Sequence, residues 1–196
     1  MSGITPSQTV GPYFKYGLTP GNDYRWNDAF GNDLVTPEVI GERVRIVGQV
    51  FDGDGKIITD SLLEIWQADA QGRLSDPQDK RALSNAAFRG FGRCGTDANG
   101  GYSFHTIKPG PVPGPGGTLQ APHILLAVFA RGMTQQAMTR IYFADEAAAN
   151  TADPILALVP ADRRATLIAT REPGDVATYR LDVHLQGDRE TVFFDV

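Results

Sequence analysis

From Arg43 onward the chain alternates. Val44, Ile46 and Gly48 fall on one side of a two-residue repeat and Arg45, Val47 and Gln49 on the other, the pattern of a half-buried strand, and Asp52-Gly53-Asp54-Gly55 supplies a turn after it. Leu62 to Trp66 is a second apolar run. The segment Thr96-Asp97-Ala98-Asn99-Gly100-Gly101 turns into a third, in which Tyr102, Phe104 and Thr106 share a face and His105 takes the other. Further strands are predicted over 123–130, 138–143, 177–186 and 190–195. The three-to-four-residue period of a helix is confined to 145–151 and 153–169, the second with Asp153 placed to cap and Pro154 at the first helical position. These elements predict an all-β, antiparallel sandwich with a short helical insertion, a closed barrel being the other arrangement they allow.

The first forty-two residues obey neither period. They are rich in Gly, Pro, Asn and Asp, yet carry Tyr13, Phe14, Tyr16, Tyr24, Trp26 and Phe30. A disordered tail is poor in aromatics, so this stretch reads as an ordered arm whose rings bury against the domain or against another chain. The division is therefore an arm over 1–42 and a sandwich over 43–196.

Length and charge narrow the function. The 196 residues suffice for one sizeable core, and a formal charge of −5 with scattered Lys and Arg is the wrong electrostatics for nucleic acid. No run reaches membrane-spanning length, and the polar, Pro-containing sequence after Met1 has no secretory pattern. The single cysteine, Cys94, precludes a disulfide framework and reads as a small buried hydrophobe, with a reducing cytoplasm as the simplest setting. Asp52-Gly53-Asp54 and Asp145-Glu146 read as turn and helix-start carboxylates that accept backbone N–H bonds, and Arg163-Arg164 is too short for a basic patch. His184, alternating with Val183 and Leu185, is expected to face solvent.

The most specific segments are Trp66-Gln67-Ala68-Asp69, Lys108-Pro109-Gly110-Pro111 and Pro122-His123-Ile124, in that order. With Gly92-Arg93-Cys94 and Tyr102 to Ile107 they resemble the intradiol ring-cleaving dioxygenases, which open catechols with O2 on a β-sandwich core. The resemblance implies a ferric site of two tyrosines and two histidines, one Tyr after the Trp-Gln segment, one inside a Pro-Gly-Pro-Tyr-Pro segment, and a His-x-His pair. Here those positions hold Leu74, Val112, His123 and Leu125, and the family's substrate-handling Arg before the His pair falls near Gln120. Leu and Val have no lone pair to offer a hard cation. No catalytic residue and no metal ligand set is therefore expected in this chain alone; the three apolar replacements are consistent with a dry, closed remnant, and whether they fill the old cavity is left open by the sequence.

Some members of the family are two-chain enzymes, an iron-carrying β chain with a homologous chain that has lost the ligands. Thr5 to Tyr13, Phe129 to Gly132 and Gly187 to Asp195 resemble the second kind. That implies Fe(III) on a β subunit, repeated αβ units, and protocatechuate and O2 as substrates. It also implies that the arm lies over the partner's pocket, with Thr9, Gly11, Pro12, Tyr13 and Arg131 lining it. Arg and a Tyr hydroxyl are donors that suit a ring bearing a carboxylate. Two other readings stand beside this one: a sandwich that only scaffolds or binds a ligand, and a self-sufficient dioxygenase recruiting Tyr142 or Tyr179.

Overall fold

The computed structural model describes residues 17–19, 30–76, 79, 81 and 87–195. Nine strands form one continuous bent sheet: β1 (Arg43–Phe51), β2 (Leu62–Gln67), β3 (Phe91–Gly95), β4 (Gly101–Ile107), β7 (His123–Phe129), β8 (Ala137–Phe143), β9 (Ile168–Glu172), β10 (Ala177–Arg180) and β11 (Val183–His184). A small hairpin of β5 (Val112–Pro113) and β6 (Leu119–Gln120) stands apart. The sheet folds on itself, with β4, β1, β10 and β11 facing β3, β2, β7 and β8, and β9 joining the halves.

Alternation places the core. In β1, Val44, Ile46, Gly48 and Val50 are buried while Arg43 and Arg45 are exposed, and Tyr102, Phe104 and Thr106 are buried on β4. Leu63 and Ile65 of β2, Ile124, Leu126 and Val128 of β7 and Ile141 and Phe143 of β8 close the core from the other side. Burying a side chain of this kind contributes roughly 1.5–3 kcal/mol, so the period-two register is strongly fixed, since a one-residue slip would turn every one of them outward.

The all-β sandwich is as the sequence predicts, but its pairing is mixed rather than wholly antiparallel: β1 runs parallel to β10 and to β11, and β8 parallel to β9. The expected strand 177–186 is two pieces. Gly48 sits where a Cβ would lie 1.8 Å from the Leu181 carbonyl, and Asp182 replaces the next ladder bond by accepting the Gln49 N–H at 3.0 Å. The expected strand 190–195 forms a single bridge, Met138 to Phe194.

The helix expected over 153–169 is absent. One α-helix, α1 (Ala147–Ala152), precedes two 3-10 turns at Leu156–Leu158 and Arg164–Leu167, and 168–172 is strand β9. Asp153 still works as a cap, its Oδ1 accepting the N–H of Ile155 at 2.9 Å and of Leu156 at 2.7 Å. Pro160 interrupts the segment before a helix can propagate. The insertion packs Leu156, Val159 and Leu167 onto Tyr142 and Ala121, on the outer face of β8. Residues 30–41 lie against the same chain: the Asn32 carbonyl and Leu34 N–H bond to the backbone of His105, and Val39 is buried with Phe88 and Ile107.

Candidate functional site

The face of β2, β7 and β8 turned away from the core carries the candidate site. Register sets its rows: Trp66 pairs with Leu125 and Leu125 with Arg140, and His123 pairs with Tyr142. Because successive side chains alternate, all five share the outer face. Above them the β5–β6 hairpin brings Val112, Pro113 and Gln120, and the loop after β2 brings Leu74. Together they enclose a cavity of about 410 Å³.

Two loops bring Leu74 and Val112 to one place because the motifs clamp them. Asp69 is buried, and its Oδ1 accepts the N–H groups of Gln71 and Arg73 at 2.9 Å each, rounding the chain into a tight turn. Its backbone carbonyl accepts the Gly110 N–H at 2.9 Å, joining the first loop to the second. Gly72, at φ +73°, would place a Cβ 1.8 Å from the Pro111 carbonyl. Gln67 fastens the same region from below, donating to the Ile107 carbonyl at 2.9 Å and accepting from Thr106 Oγ1 at 2.7 Å. The Trp-Gln-Ala-Asp and Lys-Pro-Gly-Pro segments are thus the fixings of the cavity rather than its chemistry.

All four positions that the family resemblance identifies with metal ligands, Leu74, Val112, His123 and Leu125, line this one cavity. One of the four has a donor atom. Fe(III) is held by oxygen and nitrogen donors, so this set does not fit it. Among the described residues no three His, Cys, Asp or Glu side chains gather as a metal site elsewhere. The lining answers whether the apolar replacements fill the old cavity. Leu74, Val112 and Leu125 line the space without filling it, leaving all three half-buried.

His123 is held neutral. Burial, then the charge of Arg140, push its pKa down to about 4. Its Nδ1 lies 2.7 Å from the Ala121 carbonyl, which assigns the proton to Nδ1 and leaves Nε2 an acceptor. Arg140 spans the floor, donating from Nη1 to Gln120 Oε1 at 2.7 Å and to the Tyr142 hydroxyl at 3.3 Å. Burial raises the Tyr142 pKa to about 12, and its hydroxyl donates to Asp153 Oδ1 at 3.1 Å. Asp153 is fully buried, and its Oδ2 accepts the Ala121 N–H at 2.7 Å. The carboxylate therefore braces both residues that flank His123.

Arg131 follows the far end of β7, eight residues after His123, and is not among the residues that line the cavity. It is 68% exposed, and its Nε bonds Asp60 Oδ2 at 2.8 Å, so it is anchored at the stem and open at its tip. Thr9, Gly11, Pro12 and Tyr13 lie outside the described residues.

Asp52 Oδ1 accepts the N–H groups of Asp54 and Lys56, a turn role as expected. Asp145 and Glu146 instead grip Lys108, at 2.9 and 2.7 Å, and Asp145 also accepts from Tyr179 at 2.8 Å. Their partner is a lysine 37 residues away, which local spacing could not reveal. Tyr179 and Tyr142 are both committed to structural carboxylates, Asp145 and Asp153. His184 is half-buried rather than solvent-facing, its ring stacked on Phe51 at 4.8 Å. His105 is on the outer face beside Asp33, 3.3 Å away. Cys94 packs against the core from β3.

Comparison with known proteins agrees with this geometry. Residues 11–187 match the family model described as Dioxygenase. The chain is 49% identical to a protocatechuate 3,4-dioxygenase alpha chain of Burkholderia cepacia over 98% of this chain and 97% of that one. It is 47% identical to the Pseudomonas putida alpha chain, covering 97% and 96%. The beta chain from Burkholderia cepacia is 36% identical over 82% of this chain and 72% of its own. Among solved structures, the dioxygenase domain of a carbohydrate-binding fusion from Streptomyces sp. SirexAA-E superposes with a TM-score of 0.58 at 26% identity, covering 93% of this chain and 98% of that one. An intradiol ring-cleavage dioxygenase from Tetranychus urticae shares the fold with a TM-score of 0.62 at 20% identity, covering 83% and 90%. Sandwich, clamp motifs and the gathered remnants of a ligand set, together with these relatives, place the chain in the intradiol dioxygenase family.

Proposed function

We propose that this chain is the iron-free α-type subunit of a protocatechuate 3,4-dioxygenase, completing the substrate pocket of a homologous iron-carrying β subunit. One observation carries the reading: four former ligand positions converge on a single cavity, and three of them are Leu or Val. The chain keeps the family's frame while lacking the donors to do the chemistry itself. The reaction of the pair is intradiol cleavage of protocatechuate by O2 to 3-carboxy-cis,cis-muconate, with the β subunit supplying the ferric centre. The pairs repeat in a larger assembly that works in the cytoplasm.

The part assigned to this chain is recognition. Arg131 offers a guanidinium to the substrate carboxylate, held in aim by Asp60 at its Nε and leaving the two terminal nitrogens to bind. Thr9, Gly11, Pro12 and Tyr13 of the arm form the rest of the wall, Gly11 and Pro12 letting backbone approach a planar ring. The test is the assembled αβ enzyme carrying Arg131→Ala. A charge-assisted contact contributes roughly 1.5–3 kcal/mol, so kcat/KM for protocatechuate should fall by about 10–100-fold while iron content and turnover of uncharged catechol hold. Unchanged steady-state kinetics would remove Arg131 from the pocket.

A further inference from the structure

The cavity on the outer face of β2, β7 and β8 has lost its metal donors but not its other features. It is a built space of about 410 Å³, within the range of about 300–1,000 Å³ common to small-ligand sites. Part of its wall is apolar and broad: Trp66 and Leu125 side by side on neighbouring strands, with Leu74 and Val112 from the clamped loops.

Its charges do not cancel. Four ionisable residues, Asp79, Arg81, His123 and Arg140, line it. Asp79 and Arg81 neutralise each other through contacts of 2.6 and 2.8 Å, and Arg81 also donates to the Gly72 carbonyl. His123 turns its Nδ1 to the Ala121 carbonyl at 2.7 Å and brings no negative charge. Arg140 remains. Its Nη1 is spent on the neutral oxygens of Gln120 and Tyr142, its face lies 5.7 Å from the Phe194 ring, and it makes no ion pair among the described residues. The nearby carboxylate Asp153 is saturated by Ala121, Tyr142, Ile155 and Leu156. A half-buried guanidinium with no carboxylate partner among the described residues calls for an anion from outside them.

This residue also restores a charge. The arginine that the family resemblance implies falls near Gln120, and the Arg140 guanidinium comes from β8 to lie 2.7 Å from Gln120 Oε1. Beside it His123, with its Nδ1 turned to the Ala121 carbonyl, has no hydrogen-bond partner at Nε2 among the described residues and can accept there from a hydroxyl. One cation, one neutral acceptor and an aromatic and aliphatic wall within a single cavity specify a ligand.

We propose that this cavity is a binding site within the chain for a small hydroxylated aromatic carboxylate, its carboxylate on Arg140, its hydroxyl toward His123 and its ring against Trp66, Leu125, Leu74 and Val112. The site performs no ring cleavage and is independent of any role of Arg131. Bound ligand would add to folding stability and, if the free acid accumulates, report its level to the assembly.

The test uses the full-length chain purified alone, titrated calorimetrically with 4-hydroxybenzoate, 4-hydroxybenzamide and acetate. The acid should bind one equivalent per chain. The amide, lacking the charge, and acetate, lacking the ring, should each bind about tenfold or more weakly. Arg140→Gln and, separately, Leu74→Phe, which occupies the space without touching the charge, should each weaken the acid by a similar factor, with circular dichroism showing both folded. No saturable binding at millimolar acid overturns the proposal, as does binding indifferent to both substitutions or equal affinity for acid and acetate. An unchanged response to Arg131→Ala separates this site from the recognition role above.

Discussion

Removing the Asp153 carboxylate should cost this chain much of its stability. Among the donors it accepts, the N–H groups of Ala121 and Leu156 and the hydroxyl of Tyr142 belong to buried residues. A buried donor left without an acceptor costs about 1–3 kcal/mol. Allowing for water entering the space left by the carboxylate, Asp153→Ala should destabilise by about 3–6 kcal/mol, out of a total of roughly 5–15 kcal/mol for a domain. Asp153→Asn keeps one acceptor and aims an NH2 at a remaining donor, a loss of about 1–3 kcal/mol. Urea unfolding followed by near-ultraviolet circular dichroism measures both. With a slope of about 2 kcal/mol/M, the alanine midpoint should fall by roughly 1.5–3 M. A shift of the alanine variant below about 0.5 M would mean that the carboxylate does not brace the insertion against β6 and β8, and the account of how His123 is held would fail with it.

Gly72→Ala should prevent or severely weaken folding, because its Cβ meets the Pro111 backbone at 1.8 Å and φ is +73°, whereas Gly116→Ala, at φ +64° with nothing within 4 Å, should cost only about 1–2 kcal/mol for the left-handed backbone. Equal midpoints for the two variants would refute the clamp. His123 should titrate near pH 4 by NMR instead of near 6.5, and Arg140→Gln should raise its midpoint. The folded pKa lies below the unfolded one, so the unfolded chain binds more protons between about pH 4 and 6.5. Stability should therefore be full above that window and fall as pH drops through it, a slope that His123→Gln should flatten.

Much of the fold was legible because one physical rule dominates it. A strand with one face on the core and one outward must alternate, and β1 and β7 do so over their whole lengths and β4 up to Thr106. β3 escaped because Phe91-Gly92-Arg93-Cys94-Gly95 carries two glycines and too little apolar contrast to show its period. The first two residues of β9 fell inside the helix expected from the Asp153 cap and Pro154, which are local start signals, whereas pairing of Ile168 with Tyr142 and of Thr170 to Glu172 with β10 makes the segment strand. The parallel partners of β1 could not be inferred from local pattern at all. At the site, the ligand positions came from family motifs, and their convergence on one cavity came from the coordinates. Arg140 had no signal: it is an unremarkable basic residue in an alternating strand until its register opposite Leu125 places it on the cavity floor.

That arrangement bears on how an intradiol dioxygenase chain can give up its metal without giving up its shape. The parts that hold the cavity open are not the parts that would hold the iron. Asp69, Gly72 and Gly110 fix the two loops through backbone contacts, Gln67 ties the strand end beneath them, and Asp153 braces the far side through Ala121 and Tyr142. None of these residues occupies a metal-ligand position, so replacing two phenols and an imidazole with Leu74, Val112 and Leu125 disturbs no bond in the frame. A cavity kept only by inertia would tend to collapse or fill, since empty apolar volume destabilises by about 24 cal/mol per Å³. Here a guanidinium stands on its floor with no carboxylate paired to it among the described residues, beside Gln120, near which the family resemblance implies a cation. The same frame that supports the role proposed for this chain therefore supplies the physical reason to look for a ligand inside it.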